Sequence, residues 1–176
     1  MAVRYVLKMT PALLLAAVML MGGCGYRLTA HPDLTSPVSG KNVAVEVFVN
    51  KSYRADLGTI MAGSLTEAFA LRSGGRVVGE GEADLILTGA VLGYSNNPIS
   101  YTAADTVKEY RALVTVEAML TEKKTRKVVW KGNLSWFQDY PVNAVVALQQ
   151  NSEEAAIREA CERLSQQIYE RVASGF

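Results

Sequence analysis

The hydrophobic pattern of the chain changes period several times. VAVEVFVN at 43–50 alternates strictly, with Val43, Val45, Val47 and Val49 on one side and Ala44, Glu46, Phe48 and Asn50 on the other. This predicts a strand whose valine face is buried. After the polar Lys51–Ala55, apolar residues recur at helical spacing: Leu57, Ile60, Met61, Leu65, Ala68 and Phe69. Asp56 is placed to cap that helix and Ser73–Gly74–Gly75 to stop it. ADLILTGAVLGY at 83–94 is apolar on both alternating faces, as in a central strand. Ser95–Thr106 reads as a loop to the long amphipathic strand Val107–Thr121, where Tyr110, Ala112, Val114, Val116, Ala118 and Leu120 share a face. A charged turn, Lys123–Arg126, leads to a returning strand, Val128–Asp139, with Val128, Trp130, Leu134 and Trp136 on one side. Such a pair is expected to run antiparallel. Asn151–Ser152–Glu153–Glu154 predicts the start of a last helix, whose stripe is Ile157, Cys161, Leu164, Ile168 and Val172.

The predicted order is therefore β-α-β-β-β-α. Two amphipathic helices and about four strands imply an α+β two-layer sandwich, a mixed sheet with both helices on one face. The second sheet face would then carry Glu109, Arg111, Glu117, Lys131, Asn133 and Ser135. Residues 41–176 are expected to form this single domain.

The N-terminal region has a different character. Arg4 and Lys8 precede an almost purely apolar run, Pro11–Met21, which ends in Gly22–Gly23 against Cys24. This is the layout of a signal peptide over residues 1–23, and the run is about half of the ~20 residues a membrane-spanning helix needs. The sequence MGGC resembles the bacterial lipobox, with Met21 where Leu is usual. The resemblance implies lipid attachment at Cys24 and removal of the signal before it. One acyl chain holds a protein marginally, whereas two or more hold it stably. Gly25 stands where an Asp would favour retention in the inner membrane, so outer-membrane sorting on the periplasmic side is expected. Residues 24–40, rich in Pro, Ser, Asp and Gly, read as the lipidated tether.

Charge narrows the function. Of the 18 Lys+Arg, Arg4 and Lys8 fall in the signal, leaving 16 against 17 Asp+Glu, a formal charge near −1. That is no footprint for nucleic acid. The one histidine, His31, lies in the tether with no neighbouring ligand, so no metal is assigned. No Gly-x-Ser-x-Gly elbow occurs, and the glycine-rich 74–81 lacks the Lys-Ser/Thr of a phosphate loop. Glu80, Glu82 and Asp84 read as a solvated strand entrance, and Cys161 as a small buried residue. No cofactor or catalytic group is assigned. What remains is a binding or assembly protein.

Taken together, Cys24–Gly25–Tyr26–Arg27–Leu28, LGTIMAGSLTEAF, ADLILTGAV and EYRALVTVEAML at 109–120 resemble the lipopolysaccharide-assembly lipoproteins of the LptE family. The resemblance implies a plug in the outer-membrane β-barrel translocon subunit LptD, which helps that barrel assemble and passes lipopolysaccharide to the outer leaflet. It also implies that Asn96, Asn97, Ile99 and Tyr101 belong to a loop reaching into the barrel lumen. The family's basic loop position is unmatched here, and Lys108, Arg111 and Lys131 are the nearest candidates for lipopolysaccharide contact. The alternative is a lipoprotein adaptor or pilot for another envelope transport or secretion complex.

Overall fold

A computed structural model describes residues 36–74 and 76–175. The signal peptide, Cys24 and His31 lie outside the described residues. The elements are β1 (Val43–Val45), β2 (Val49–Asn50), α1 (Leu57–Arg72), β3 (Leu85–Tyr101), β4 (Val107–Glu122), β5 (Val128–Pro141) and α2 (Val146–Ser174). The sheet order is β1-β3-β4-β5, with β2 also on β3. β1 and β2 run parallel to β3, and β3, β4 and β5 form an antiparallel meander. The expected two-layer α+β architecture is thus present, with its first strand broken in two.

That break overturns the expected burial of Val47 and Val49. Val43–Val45 pairs with Leu85–Leu87, but Val49–Asn50 pairs with Ala90–Val91, so the edge chain carries one residue more than β3 opposite it. A one-residue bulge sends every later side chain to the other face. Val47 and Val49 are 67% and 61% exposed, while Phe48 is 2% exposed and sits in the core. Two distant glycines make this possible. A Cβ at Gly89 would collide with the Phe48 ring and with the Glu117 carbonyl oxygen, and a Cβ at Gly58, in the first turn of α1, would collide with the Phe48 carbonyl oxygen. Phe48 fills the notch that Gly89 leaves in the sheet, and Gly58 lets α1 lie directly on its backbone.

β3 repeats the device. Its register against β4 shifts between Val91 and Gly93, so the inward set changes from Leu85, Leu87 and Val91 to Tyr94 and Asn96. β4 keeps strict alternation, with Ala112, Val114, Val116, Ala118 and Leu120 all at 0% exposure. The helices bury the stripes expected of them. Leu57, Met61, Leu65 and Phe69 of α1 and Ile157, Cys161, Leu164, Ile168 and Val172 of α2 join the same core. Phe69 and Tyr169 meet edge-on, 5.2 Å between ring centroids, where the helices touch.

Two boundaries and the manner of one cap differ from the sequence reading. α2 begins at Val146, ahead of Asn151, because Asn143 donates its backbone N–H to Gln149 Oε1 (2.6 Å) and its amide to Ser152 Oγ (2.8 Å), closing the added turn onto the preceding loop. Asp56 occupies the cap of α1 in the left-handed region (φ 62°) without a side-chain cap bond. Ser95–Tyr101 belongs to β3, so the expected loop contracts to 102–106, where Thr102 donates its N–H to the Thr106 carbonyl (2.8 Å).

Two outcomes follow from this packing. Gly89→Ala overpacks the notch and costs about 1–3 kcal/mol, a fall in Tm of very roughly 2–10 °C for a chain of this size. Phe48→Leu in the same chain recovers part of that loss, which thermal melts of the two single variants and the double variant read directly. Purely additive losses would mean that Phe48 is not what Gly89 accommodates. Second, burial pushes the Cys161 thiol up to about 12, so a maleimide at neutral pH leaves it unmodified by mass spectrometry until the protein is unfolded.

Candidate interaction surface

Both helices pack on one side of the sheet, and among the described residues no helix covers the other side. That open face mixes polar side chains with Leu113, Met119 and Phe137, and its ions other than Glu109 pair with one another. Arg111 stands opposite Asp139 in the β4–β5 register and grips it through two bonds, Nε to Oδ1 at 2.7 Å and Nη2 to Oδ2 at 2.8 Å. The guanidinium also lies 3.9 Å from the Phe137 ring centroid. Hydrogen bonding to Arg111 holds the Asp139 carboxyl below its ordinary range and raises Arg111 further. Lys131 pairs with Glu117 at 2.9 Å. At the far end Ser100 Oγ donates to Glu109 Oε2 (2.8 Å).

The three candidate cations do not converge. Lys131 lies opposite Met119, eight residues along β4 from Arg111, or roughly 26 Å at about 3.3 Å per residue. Lys108 sits where the β3–β4 register is irregular, at the hairpin end, and its carbonyl accepts the Val142 N–H (3.0 Å). Among the described residues it has no ion-pair partner, whereas Arg111 and Lys131 each have one.

The four hairpin candidates divide as well. Asn96, expected in an exposed loop, instead turns toward the helices and donates to the Tyr140 hydroxyl (2.6 Å). It does so because the β3 bulge placed it on the inward face. Asn97, Ile99 and Tyr101 are exposed, the last two by 39% and 56%. They are strand residues: Asn97 and Tyr101 pair with Arg111 and Val107 of β4, and Ile99 is the extra residue where the register shifts between Pro98 and Ser100. β2 reaches only Ala90 and Val91, so beyond that point β3 has no described partner on its other edge, which is where Pro98 is tolerated.

A polar-aromatic cluster on the helix side escaped the sequence reading. Tyr94 donates its hydroxyl to Glu153 Oε1 (2.9 Å), Arg54 reaches Glu153 (3.6 Å) and Glu154 (3.7 Å), and Tyr53 packs on Tyr94 at 5.4 Å. Burial, then the bond to Glu153, raises the Tyr94 hydroxyl far above its ordinary value, so it remains a donor. The cluster ties the loop after β2 to α2. Local pattern could not disclose it, because Glu153 and Glu154 look like first-turn acids until the helix is known to start at Val146. Beside it, a shallow groove of about 370 Å³ runs between Gln138–Pro141 and Ser152–Glu159.

These arrangements bind and brace. Among the described residues no three His, Cys, Asp or Glu side chains are placed to hold a metal, and no helix is long and apolar enough to cross a membrane.

Comparison with known proteins agrees with this geometry. The fold is shared with rare lipoprotein B from Shewanella oneidensis (15% identity, TM-score 0.55, covering 76% of this chain and 94% of that one). It is shared with a hypothetical protein from Chlamydia trachomatis (10%, TM-score 0.56, 77% and 97%). It also recurs in PelC of Paraburkholderia phytofirmans, solved as a dodecamer (16%, TM-score 0.50, 72% and 87%). No curated protein sequence matches the chain. The family model for LptE, lipopolysaccharide-assembly, matches residues 40–172, nearly the whole described domain, and the chain belongs to that family of envelope lipoproteins.

Proposed function

We propose that this lipoprotein is the plug of the outer-membrane lipopolysaccharide translocon, anchored on the periplasmic side through acylated Cys24 and seated in the lumen of the β-barrel subunit LptD. The observation that carries this reading is the long uncovered sheet face, whose two cations, Arg111 and Lys131, are each paired with a carboxylate. β4, with 16 residues, spans roughly 50 Å at about 3.3 Å per residue. A bacterial barrel's apolar band is about 25 Å tall and its interior is polar. A rigid sheet of that length can therefore stand in such a lumen with one end at the periplasmic rim and the other near the outer leaflet. A face whose cations are internally paired and whose remaining carboxylate, Glu109, accepts the Ser100 hydroxyl can lie against a polar wall through hydrogen bonds and bridging water.

In this arrangement Asn97, Ile99 and Tyr101 lead into the lumen, and the Asn96–Tyr140 bond stiffens the strand that carries them. Lys108, Arg111 and Lys131 are the cations for lipopolysaccharide phosphates. Lys108 can engage one directly. Arg111 and Lys131 would exchange their carboxylate partners for phosphate oxygens, since both pairs are exposed to solvent. The role needs no catalytic step.

Extraction in mild detergent should bring down an outer-membrane barrel of much larger mass together with this protein. A triple variant, Asn97→Arg, Ile99→Asp and Tyr101→Arg, should reduce that recovery about tenfold or more, equivalent to about 1.4 kcal/mol, while leaving the melting temperature within a few degrees. A solitary species, or a partner that is a secretin or another transporter, would contradict the proposal. Full recovery with the triple variant would remove the hairpin from the interface.

A further inference from the structure

The sheet ends in edges of two kinds. On one side the edge is broken: β1 and β2 are three and two residues long with a bulge between them, and beyond Val91 the free side of β3 carries Pro98 and a register shift on either side of Ser100. Short strands, bulges and prolines keep an edge from pairing with another chain. On the other side β5 has none of these along its middle. Among the described residues nothing pairs with its outer edge. Residues 132–138, GNLSWFQ, contain no charge and no proline. The groove of about 370 Å³ between Gln138–Pro141 and α2 lies beside the same edge.

The part of β5 able to pair has sharp limits. Val129 is the extra residue where the β4–β5 register shifts, and Pro141 has no N–H to offer. Between them Trp130–Tyr140, eleven residues, runs in a single register without irregularity. Its midpoint is Ser135. Two copies of such a strand, antiparallel about a two-fold axis normal to the sheet, set each residue across from one on the same face. Only an axis at Ser135 keeps all eleven residues paired, whereas an axis at Leu134 or Trp136 keeps nine, 130–138 or 132–140.

The side chains are complementary in that same register. Lys131 and Asp139 stand four residues to either side of Ser135, so each lies directly across from the other on the second copy. The charges on the open face then alternate, Glu117 and Lys131 of one copy meeting Asp139 and Arg111 of the other, and no ion gives up its own partner. An axis at Leu134 would set Lys131 against Phe137, and an axis at Trp136 would set it against Pro141. On the helix side Trp130 meets Tyr140 and Leu134 meets Trp136, apolar against apolar. Opposite-charge and aromatic pairs across strands are stabilising, and antiparallel pairing adds about one main-chain hydrogen bond per residue of overlap.

We propose that the β5 edge is a docking surface for a second copy of this chain, joined antiparallel about a two-fold axis at Ser135 into one continuous sheet with both helical layers on the same side. The pair is the form of the protein outside a barrel. It covers the one long regular edge, which would otherwise template aggregation. With a hairpin at each of its two ends and twice the width, the pair does not fit a lumen that seats one sheet upright, so entry into a barrel takes it apart. The pairing itself follows from β5 alone and does not rest on the barrel seat.

The test uses the full-length mature protein, freed of any barrel, in mild detergent with micelles in large excess over protein. A thiol crosslinker that bridges only directly opposed residues, about 4.5–5.5 Å between Cβ atoms, should join two copies of Ser135→Cys. Thr115→Cys, which lies opposite Ser135 on β4 and so roughly 14 Å from its twin at about 4.8 Å per strand, should stay uncrosslinked. The unsubstituted protein, whose Cys161 is buried, is the blank. Asn133→Cys and Phe137→Cys should crosslink when mixed and not singly. Lys131→Glu or Asp139→Lys alone should weaken dimerisation roughly fivefold or more, and mixing the two variants should restore it, since both cross-copy ion pairs are then rebuilt; a mere loss of folding is not rescued by mixing. A monomer at every concentration, crosslinking at position 115 as readily as at 135, or no rescue on mixing would overturn the proposal. These readouts involve no barrel, so they stand whatever partner the protein is recovered with. Added barrel protein should abolish the crosslink at position 135, and a crosslink that persisted within the barrel complex would overturn the assignment of the pair to the unseated protein.

Discussion

One aromatic ring decides how the two layers meet. Phe48 fills the notch over Gly89 while its own backbone is approached by Gly58 of α1. Burying a phenylalanine stabilises the fold by about 1.5–3 kcal/mol, and only the bulged register sets the ring into the space that Gly89 leaves. The chain therefore accepts a bulge between Val45 and Val49 and leaves Val47 and Val49 in solvent. With Phe48 in place, α1 is set down across the β1–β2 edge and β3, α2 packs beside α1 against β4 and β5, and the opposite face of the sheet stays uncovered.

The architecture was legible in the sequence because it is written in period. β4, with no bulge through its core, reads as it folds, and so do the stripes of α1 and α2, where Leu65, Phe69, Ile157, Leu164 and Ile168 fall at helical spacing. What local pattern missed has a common cause, the dependence of a residue's direction on a partner far away in the chain. VAVEVFVN looks valine-inward because nothing near it announces Gly89. Asn96 looks like a loop residue because the bulge that turns it toward Tyr140 is visible only against β4. The start of α2 was hidden because Asn143 and Gln149 close a turn that no residue type at Val145 foretells.

The candidate surface was legible in outline only. Arg111, Glu117 and Lys131 were placed correctly on the uncovered face, since alternation along β4 and β5 fixes side. Their pairing depends on inter-strand register, and register makes Arg111 a fixed bidentate partner of Asp139 and leaves Lys108 apart. The face is consequently closer to neutral than a list of its cations suggests. A long, stiff sheet with an exposed hairpin at one end and a basic turn at the other suits the proposed seat in the interior of a larger channel. Membership of the LptE family gives the same setting, a lipopolysaccharide-assembly apparatus of the envelope.

The orientation in that setting is the central claim, and site-specific photocrosslinking in intact cells reads it most directly. A photoreactive residue at Thr115 or Ser135 on the open face, or at Tyr101 in the hairpin, should crosslink to one outer-membrane barrel, with the same residue at Lys124 giving little of that product. Crosslinks to the barrel from Lys124 alone, with none from Thr115, Ser135 or Tyr101, would show that the sheet does not enter the lumen and would contradict the account.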